Sequence, residues 1–239
     1  MPFKLSLKRD ALFLDIDGTL LDIAPTPEEV FVSSTLIDSL WSLHQKLDGA
    51  LALVSGRTIK NIDQLFSPLR LPAIGVHGLE WREDTHSAVM HSGALDEEIR
   101  RRVSHALEKL PGVLIENKTY SLAIHYRQAP QHKDRIYDLV NSAAPMPRAD
   151  VELLEGKMVY ELIRKGHGKK PAIERFMQLP DFSGRRPIFF GDDETDKPAI
   201  AAFSKLYGTG VLVGEDTAFN LGLFYHPKAV RGWLIKQAE

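Results

Sequence analysis

The sequence predicts an α/β fold: a parallel, helix-covered sheet with a small α+β unit inserted between its two halves. Three observations carry that expectation. Five short apolar runs, at residues 11–15, 50–54, 73–76, 187–190 and 211–213, read as buried strands. Apolar residues at helical spacing fall between several of them. Between the third and fourth runs the chain changes to alternating residues and tight turns.

Residues 11–15 form an apolar run stopped by acid and glycine, as a buried strand ending at a turn would be. Leu36, Leu40 and Leu43 then recur at spacings of four and three, which places a helix before the strand at 50–54. The strand at 73–76 follows. Late in the chain, Ala172, Ile173, Phe176 and Met177 mark a helix before the strand at 187–190. Ile200, Ala201 and Phe203 mark another before 211–213. Strands alternating with helices argue a parallel sheet covered on both faces. Sites in such sheets gather at the carboxyl ends of the strands. Four polar motifs stand there: Asp15-Ile16-Asp17-Gly18, Ser55-Gly56-Arg57, Gly75-Val76-His77-Gly78 and Gly191-Asp192-Asp193.

The middle of the chain reads as helix, two strands, helix, two strands. Leu95, Ile99, Val103, Ala106 and Leu110 form a helical stripe. Residues 113–115 and 120–126 suggest a hairpin around Asn117-Lys118, residues 133–142 a second helix, and Glu155-Gly156 a second hairpin turn. We therefore expect an inserted cap over residues 85–162, with a core built from 1–84 and 163–239. Alternation puts His125 and Arg127 on one face of their strand, and Lys157 and Glu161 on one face of theirs. If the cap helices cover the apolar faces, these four side chains line a common polar face.

Bulk composition narrows the function. A formal net charge of -2 over 239 residues supplies no field that would draw nucleic acid. The absence of cysteine excludes disulfides, thiolate zinc and a cysteine nucleophile, and suits a reducing compartment. Residues 1–9 lack an apolar stretch long enough for a signal peptide, and no segment approaches the ~18 apolar residues of a membrane span. A soluble cytoplasmic protein is expected. With no heptad and no long exposed apolar strip, a monomer is expected too.

Asp15 and Asp17 carry the chemistry. Two carboxylates two residues apart, at the open end of a buried strand, can divide the work of a nucleophile and a proton carrier. Together they can hold a hard cation through oxygen.

Asp15-Ile16-Asp17-Gly18-Thr19 resembles the signature of the haloacid dehalogenase (HAD) superfamily of phosphotransferases, and the other three superfamily motifs follow in order. The resemblance implies a Rossmannoid core with an inserted cap of the C2 type. It implies Asp15 as nucleophile, forming an aspartyl-phosphate, and Asp17 as the acid that protonates the leaving oxygen and then activates water. Ser55 matches the second motif, at a position to hydrogen-bond a phosphoryl oxygen; Arg57 beside it is expected to pair with or position a carboxylate. For the third motif the family pattern is commonly Ser-Lys-Gly-x-Ala-Ile. Aligning Ala172-Ile173 selects Lys169 over Lys170, with Gly168 and Lys170 standing where the serine and glycine would be. In the fourth, Asp192 is the expected third metal ligand beside the Asp15 carboxylate and the Asp17 main-chain carbonyl, a set that suits Mg²⁺. Asp193 is expected just outside the metal, orienting Lys169 or a metal-bound water. Glu194 and Asp196 are expected to cap the next helix or to face solvent.

A finer resemblance, to the trehalose-6-phosphate phosphatase family, rests on Pro25 and Pro27 after the first motif and on Gly75-Val76-His77-Gly78-Leu79-Glu80. His125-Tyr126-Arg127 and Gly156-Lys157-Met158-Val159-Tyr160-Glu161 in the cap complete it. It implies hydrolysis of trehalose 6-phosphate, with His77, Gly78, Arg127, Lys157 and Glu161 recognising the sugar and Glu116 and Lys118 behind them. Two alternatives stay open at this level. One is a phosphatase of the same build acting on sucrose phosphate, mannosylglycerate phosphate or a hexose phosphate. The other is a non-catalytic module that binds a sugar phosphate.

Overall fold

The first strand, β1 (Asp10–Asp15), is buried along its whole length, as a strand covered on both faces must be. The computed structural model describes residues 3–23, 30–118, 120–146, 149–156, 158–205, 208–214 and 224–239. After β1 come α1 (Ser34–Lys46), β2 (Leu51–Val54), α2 (Ile59–Leu65), β3 (Ala73–Gly75), β4 (Glu80–Arg82) and β5 (Met90–His91). The insertion follows, as α3 (Glu97–Leu107), β6 (Leu114–Asn117), β7 (Leu122–His125), α4 (Lys133–Ala143), β8 (Val151–Gly156) and β9 (Val159–Arg164). The chain then adds α5 (Lys169–Phe176), β10 (Arg186–Gly191), α6 (Lys197–Lys205), β11 (Thr209–Leu212) and α7 (Pro227–Ala238).

The larger sheet runs β11-β10-β1-β2-β3-β4-β5. Its first five members are parallel, and the β3-β4 and β4-β5 pairings are antiparallel. Register decides which face each side chain takes. Phe13 lies beside Phe189, and Leu14 beside Phe190; neighbours in register share a face. Phe13 meets Phe176 of α5 edge-on, with ring centroids 6.4 Å apart. Phe190 meets Trp233 of α7 at 5.2 Å. Helix α5 thus covers one face and α7 the other. Asp15 follows Phe13 by two residues, so it points to the α5 side. The period of a buried strand therefore aims Asp15 at the helix whose first residue is Lys169.

The chain divides into two units, Met1–His91 with Gly168–Glu239, and Ser92–His167. Both cuts fall a few residues later than the expected 85 and 162. At the first, β4 and β5 extend the edge of the large sheet before the chain leaves it. At the second, β9 pairs with β8 as far as Arg164, and the Lys165 N–H donates to the Asp150 carbonyl.

The second unit is a four-stranded antiparallel sheet, β6-β7-β9-β8, with α3 and α4 packed on each other. Leu122, Ile124, Tyr160 and Leu162 share one core with Val103, Leu107, Ile136 and Val140. Ala123 pairs with Glu161, and His125 with Val159. These four occupy the face away from the helices. The second hairpin closes later than Glu155-Gly156, because Gly156 is still paired, with Val159.

Candidate active site

Lys169 is the first residue of α5 and is buried at 4% exposure. Its Nζ donates to Asp15 Oδ1 at 2.8 Å and to Asp196 Oδ1 at 2.7 Å. Burial works against the ammonium, but Asp15 and Asp196 outweigh it and hold Lys169 well above its ordinary value. Lys170, one residue on, is rotated away along the helix; it lies 3.5 Å from Glu174 with 41% of its side chain exposed.

Asp17 sits just past β1, gripped by Arg57 from the end of β2: Nε donates to Oδ2 and Nη2 to Oδ1, both at 2.7 Å. This is the side-on, two-bond geometry that guanidinium makes best. Gly18 follows with φ 84, and a Cβ there would lie 2.0 Å from Asp192 Oδ2. Only glycine lets the first-motif turn and the Asp192 carboxylate approach this closely. The Thr19 hydroxyl reaches Asp192 Oδ1 at 3.4 Å.

Asp15, Asp192 and Asp196 offer carboxylate oxygens that lie within 4.8 Å of one another. Asp196 is already committed, with Oδ1 to Lys169 and Oδ2 to the N–H groups of Asp192 and Asp193. Asp15 and Asp192 therefore hold the oxygens open to a cation. Burial, aided by Asp192 and Asp193 and opposed by Lys169, pushes Asp15 up to about 7. Burial and then Asp196 and Asp193 push Asp192 up to about 7 as well. Three acids facing one ammonium leave excess negative charge inside the protein, and without a cation a proton must take its place. An all-oxygen donor set with that excess fits a hard divalent ion.

Asp196 overturns one expectation. It neither caps the next helix with its side chain nor faces solvent: it is fully buried beneath the loop. Burial pushes its carboxyl well above the ordinary range despite Lys169. Glu194 does face solvent, with 57% of its side chain exposed and Lys197 at 2.6 Å. Asp193 accepts from the Thr195 N–H at 2.9 Å and hydroxyl at 2.6 Å. Burial raises its carboxyl, but Lys169 and Thr195 more than offset this and leave it lowered.

Ser55 directly follows β2 at 2% exposure, its Oγ accepting from the Arg57 N–H at 3.1 Å. It does not cap α2, a role taken by Thr58, whose Oγ1 accepts from Asn61, and by Glu80, whose Oε2 accepts from Ile59. His77 is half-buried at the turn after β3. Gly78 is buried there, its α-carbon facing Gly168 and Ala172.

In the α+β unit, Glu161 is buried and accepts from Ser121 Oγ at 2.6 Å, with Lys118 Nζ at 3.7 Å. His125 lies 3.0 Å from Glu116. Arg127 is exposed, beyond the end of β7. Lys157 lies outside the described residues, as do Pro25 and Pro27.

Comparison with known proteins gives this geometry a family. Residues 13–218 match the family model described as trehalose-phosphatase. The chain belongs to the trehalose-phosphatase family. Trehalose-6-phosphate phosphatase of Escherichia coli (strain K12) is 39% identical over 208 residues, spanning 85% of this chain and 77% of that protein. The C-terminal domain of C. albicans trehalose-6-phosphate phosphatase shares the fold with a TM-score of 0.78 at 20% identity, covering 98% of this chain and 97% of that one. A haloalkanoate (HAD) superfamily phosphatase from Bacteroides thetaiotaomicron does so with a TM-score of 0.64 at 16% identity, covering 96% and 97%. The chain thus shares its fold with these phosphatases.

Within this trehalose-phosphatase framework, reading the residues alone missed Asp196, Ser121 and Glu80. Asp196 had one usable signal. An acid four residues beyond Asp192, before a helix, can fold back onto the N–H groups of its own loop. Ser121 and Glu80 gave no such signal, since each acts on a segment distant in sequence.

Proposed function

We propose that the chain hydrolyses trehalose 6-phosphate to trehalose and inorganic phosphate through phosphoryl transfer to Asp15. Membership of the trehalose-phosphatase family supports the substrate. One observation supports the chemistry above the others: Lys169 bridges Asp15 and Asp196 in a buried site shared with Asp192.

In the first step an Asp15 oxygen attacks phosphorus and the bond from phosphorus to the sugar oxygen breaks. Asp17 gives its proton to that departing oxygen. In the second step Asp17 takes a proton from water as the water oxygen attacks phosphorus. The bond from phosphorus to Asp15 breaks, phosphate leaves, and the Asp15 carboxylate is restored. Arg57 fixes the direction of the Asp17 carboxylate. Lys169 lowers the repulsion between the Asp15 carboxylate and the phosphoryl oxygens, and Ser55 donates to one of those oxygens. Asp15 and Asp192, with the Asp17 main-chain carbonyl, would hold Mg²⁺, which supplies positive charge against the transferring group. By resemblance, Glu161, Arg127, Lys157 and His77 are the residues we assign to recognition of the sugar. Charged groups bond hydroxyls strongly and directionally.

Phosphate release from trehalose 6-phosphate, measured against a panel of sugar phosphates with and without Mg²⁺, tests this reading. Trehalose 6-phosphate should be turned over far faster than glucose, sucrose or mannosylglycerate phosphates, and only with the cation. Equal rates across the panel would refute the substrate assignment. Binding of the sugar phosphate without turnover would refute the reaction.

A further inference from the structure

The turn after β3 is strained in a way that the reaction scheme leaves unexplained. Val76, His77 and Gly78 all have positive φ, at 45°, 51° and 100°. Non-glycine residues rarely adopt this conformation, β-branched valine least of all. Such strain persists only where surrounding structure over-determines it, and it collects at functional sites.

Two elements over-determine it here. On one side the turn is bonded to the second-motif loop: the Val76 N–H donates to the Arg57 carbonyl at 2.9 Å and the His77 N–H to the Ser55 carbonyl at 3.1 Å. On the other it is pressed against the start of α5. A Cβ at Gly78 would lie 2.7 Å from the Gly168 carbonyl oxygen and 2.8 Å from the Ala172 Cβ. The turn is thus wedged between the loop that carries Ser55 and the helix that begins with Lys169.

The Gly168 carbonyl is the link. It accepts the Ala172 N–H at 3.2 Å, the first hydrogen bond of the helix. Gly168 itself has φ 129 and ψ 169, a region open essentially to glycine alone. A serine at this place could not turn its carbonyl toward Gly78 without strain, which accounts for the glycine where the family pattern commonly carries serine. Among the described residues, no side chain caps the helix. Its first turn is set instead by the backbone contact with Gly78.

We infer that Gly78 is a positioning residue for Lys169, acting through the Gly168 carbonyl rather than through the sugar. The inference rests on the role given to Lys169 in the proposed function. A methyl group at Gly78 pushes that carbonyl and the first turn away, and the ammonium moves off the line between Asp15 and Asp196. Gly184 supplies the control. It also has positive φ, at 74°, but a Cβ there meets nothing within 4 Å, so Gly184→Ala reports the strain of a left-handed alanine alone.

The test is a double-mutant comparison using phosphate release from trehalose 6-phosphate. Gly78→Ala should lower kcat by roughly tenfold to a hundredfold, as ångström-scale misplacement does, with KM changed by less than about twofold. Gly184→Ala should change neither. In single-turnover runs on the Lys169→Ala background, Gly78→Ala should have no further effect. The same factor lost in both backgrounds, or no loss of kcat from Gly78→Ala, would overturn the inference. Lys169→Ala at the full rate would instead overturn the role of Lys169 itself. If Gly78→Ala does not fold, Gly168→Ala redirects the same carbonyl: a kcat loss that vanishes on the Lys169→Ala background supports the inference, and one that persists there overturns it.

Discussion

Arg57 and Asp17 form a two-bond ion pair, Nε to Oδ2 and Nη2 to Oδ1, each at 2.7 Å. The pair joins the first two motifs, since Asp17 follows β1 and Arg57 follows β2. It also fixes which way the Asp17 carboxylate, which we assign as proton carrier, faces.

A leaving-group comparison follows from that pair. A sugar alkoxide needs a proton as it departs, whereas p-nitrophenolate does not. Arg57→Ala should lower kcat/KM for the sugar phosphate by roughly tenfold to a hundredfold, part of what general acid catalysis contributes. The loss for p-nitrophenyl phosphate should be much smaller. Equal losses for both substrates would mean that Arg57 serves the phosphoryl group or the fold and not Asp17.

Asp196 gives a second prediction. It is fully buried and holds both Lys169 and the loop N–H groups of Asp192 and Asp193. Asp196→Asn keeps the shape but removes the charge that pairs with the ammonium. Its kcat should fall by roughly a hundredfold, comparable to losing one preorganised electrostatic contact. Glu194→Gln, on the exposed side of the same loop, should be unchanged within about twofold. Equal effects of the two would contradict the division between a buried and an exposed acid.

The acids also predict how stability responds to pH and metal. Asp15 and Asp192 stand at about 7 in the metal-free chain, against an ordinary 3.8. Between those values the folded state holds protons that the unfolded chain has already released. Stability of the metal-free protein from these groups therefore falls as pH rises from about 4 to about 7. A divalent cation replaces the proton, so its stabilising effect should grow over the same rise in pH. Thermal midpoints measured with Mg²⁺ and with chelator across this range check the sign. A cation effect that shrinks with rising pH would contradict it.

Arg82 predicts a loss of stability without a loss of chemistry. Its side chain is fully buried, bonds Asp63 twice at 2.7 Å, and donates to the Leu71 carbonyl at 3.1 and 2.7 Å. Arg82→Met leaves Asp63 and that carbonyl poorly satisfied, and should cost about 3 kcal/mol. Urea unfolding measures this, and turnover per folded molecule should be unchanged. A cost below about 1 kcal/mol would place the pair among weak surface contacts.

The strand runs and their terminal motifs were readable because burial on both faces writes a continuous apolar stretch and polar residues interrupt it abruptly. The alignment of Ala172-Ile173 pointed to Lys169, and it is Lys169 rather than Lys170 whose side chain meets Asp15, because the helix turns successive side chains apart. Asp196 was not readable as a site residue. Its role depends on the 192–196 loop folding back so that one carboxylate meets two N–H groups. Nothing in local composition separates that loop from an exposed helix start. The ends of the insertion were blurred for a related reason. β5 has the short, mixed look of a linker, and only pairing with β4, itself paired with β3, makes it part of the core. Gly168 was visible only as a departure from pattern until its backbone angles gave the departure a cause.

Chemical trapping on Asp15 tests the proposed reaction most directly. In Asp17→Asn, p-nitrophenyl phosphate can still transfer its phosphoryl group, since its leaving group needs no proton, while hydrolysis of the product lacks its base. Acid quenching followed by peptide mass analysis should find the phosphoryl adduct on Asp15, at close to one per protein molecule. Steady p-nitrophenolate release with no adduct, or an adduct on any other residue, would contradict Asp15 as the nucleophile.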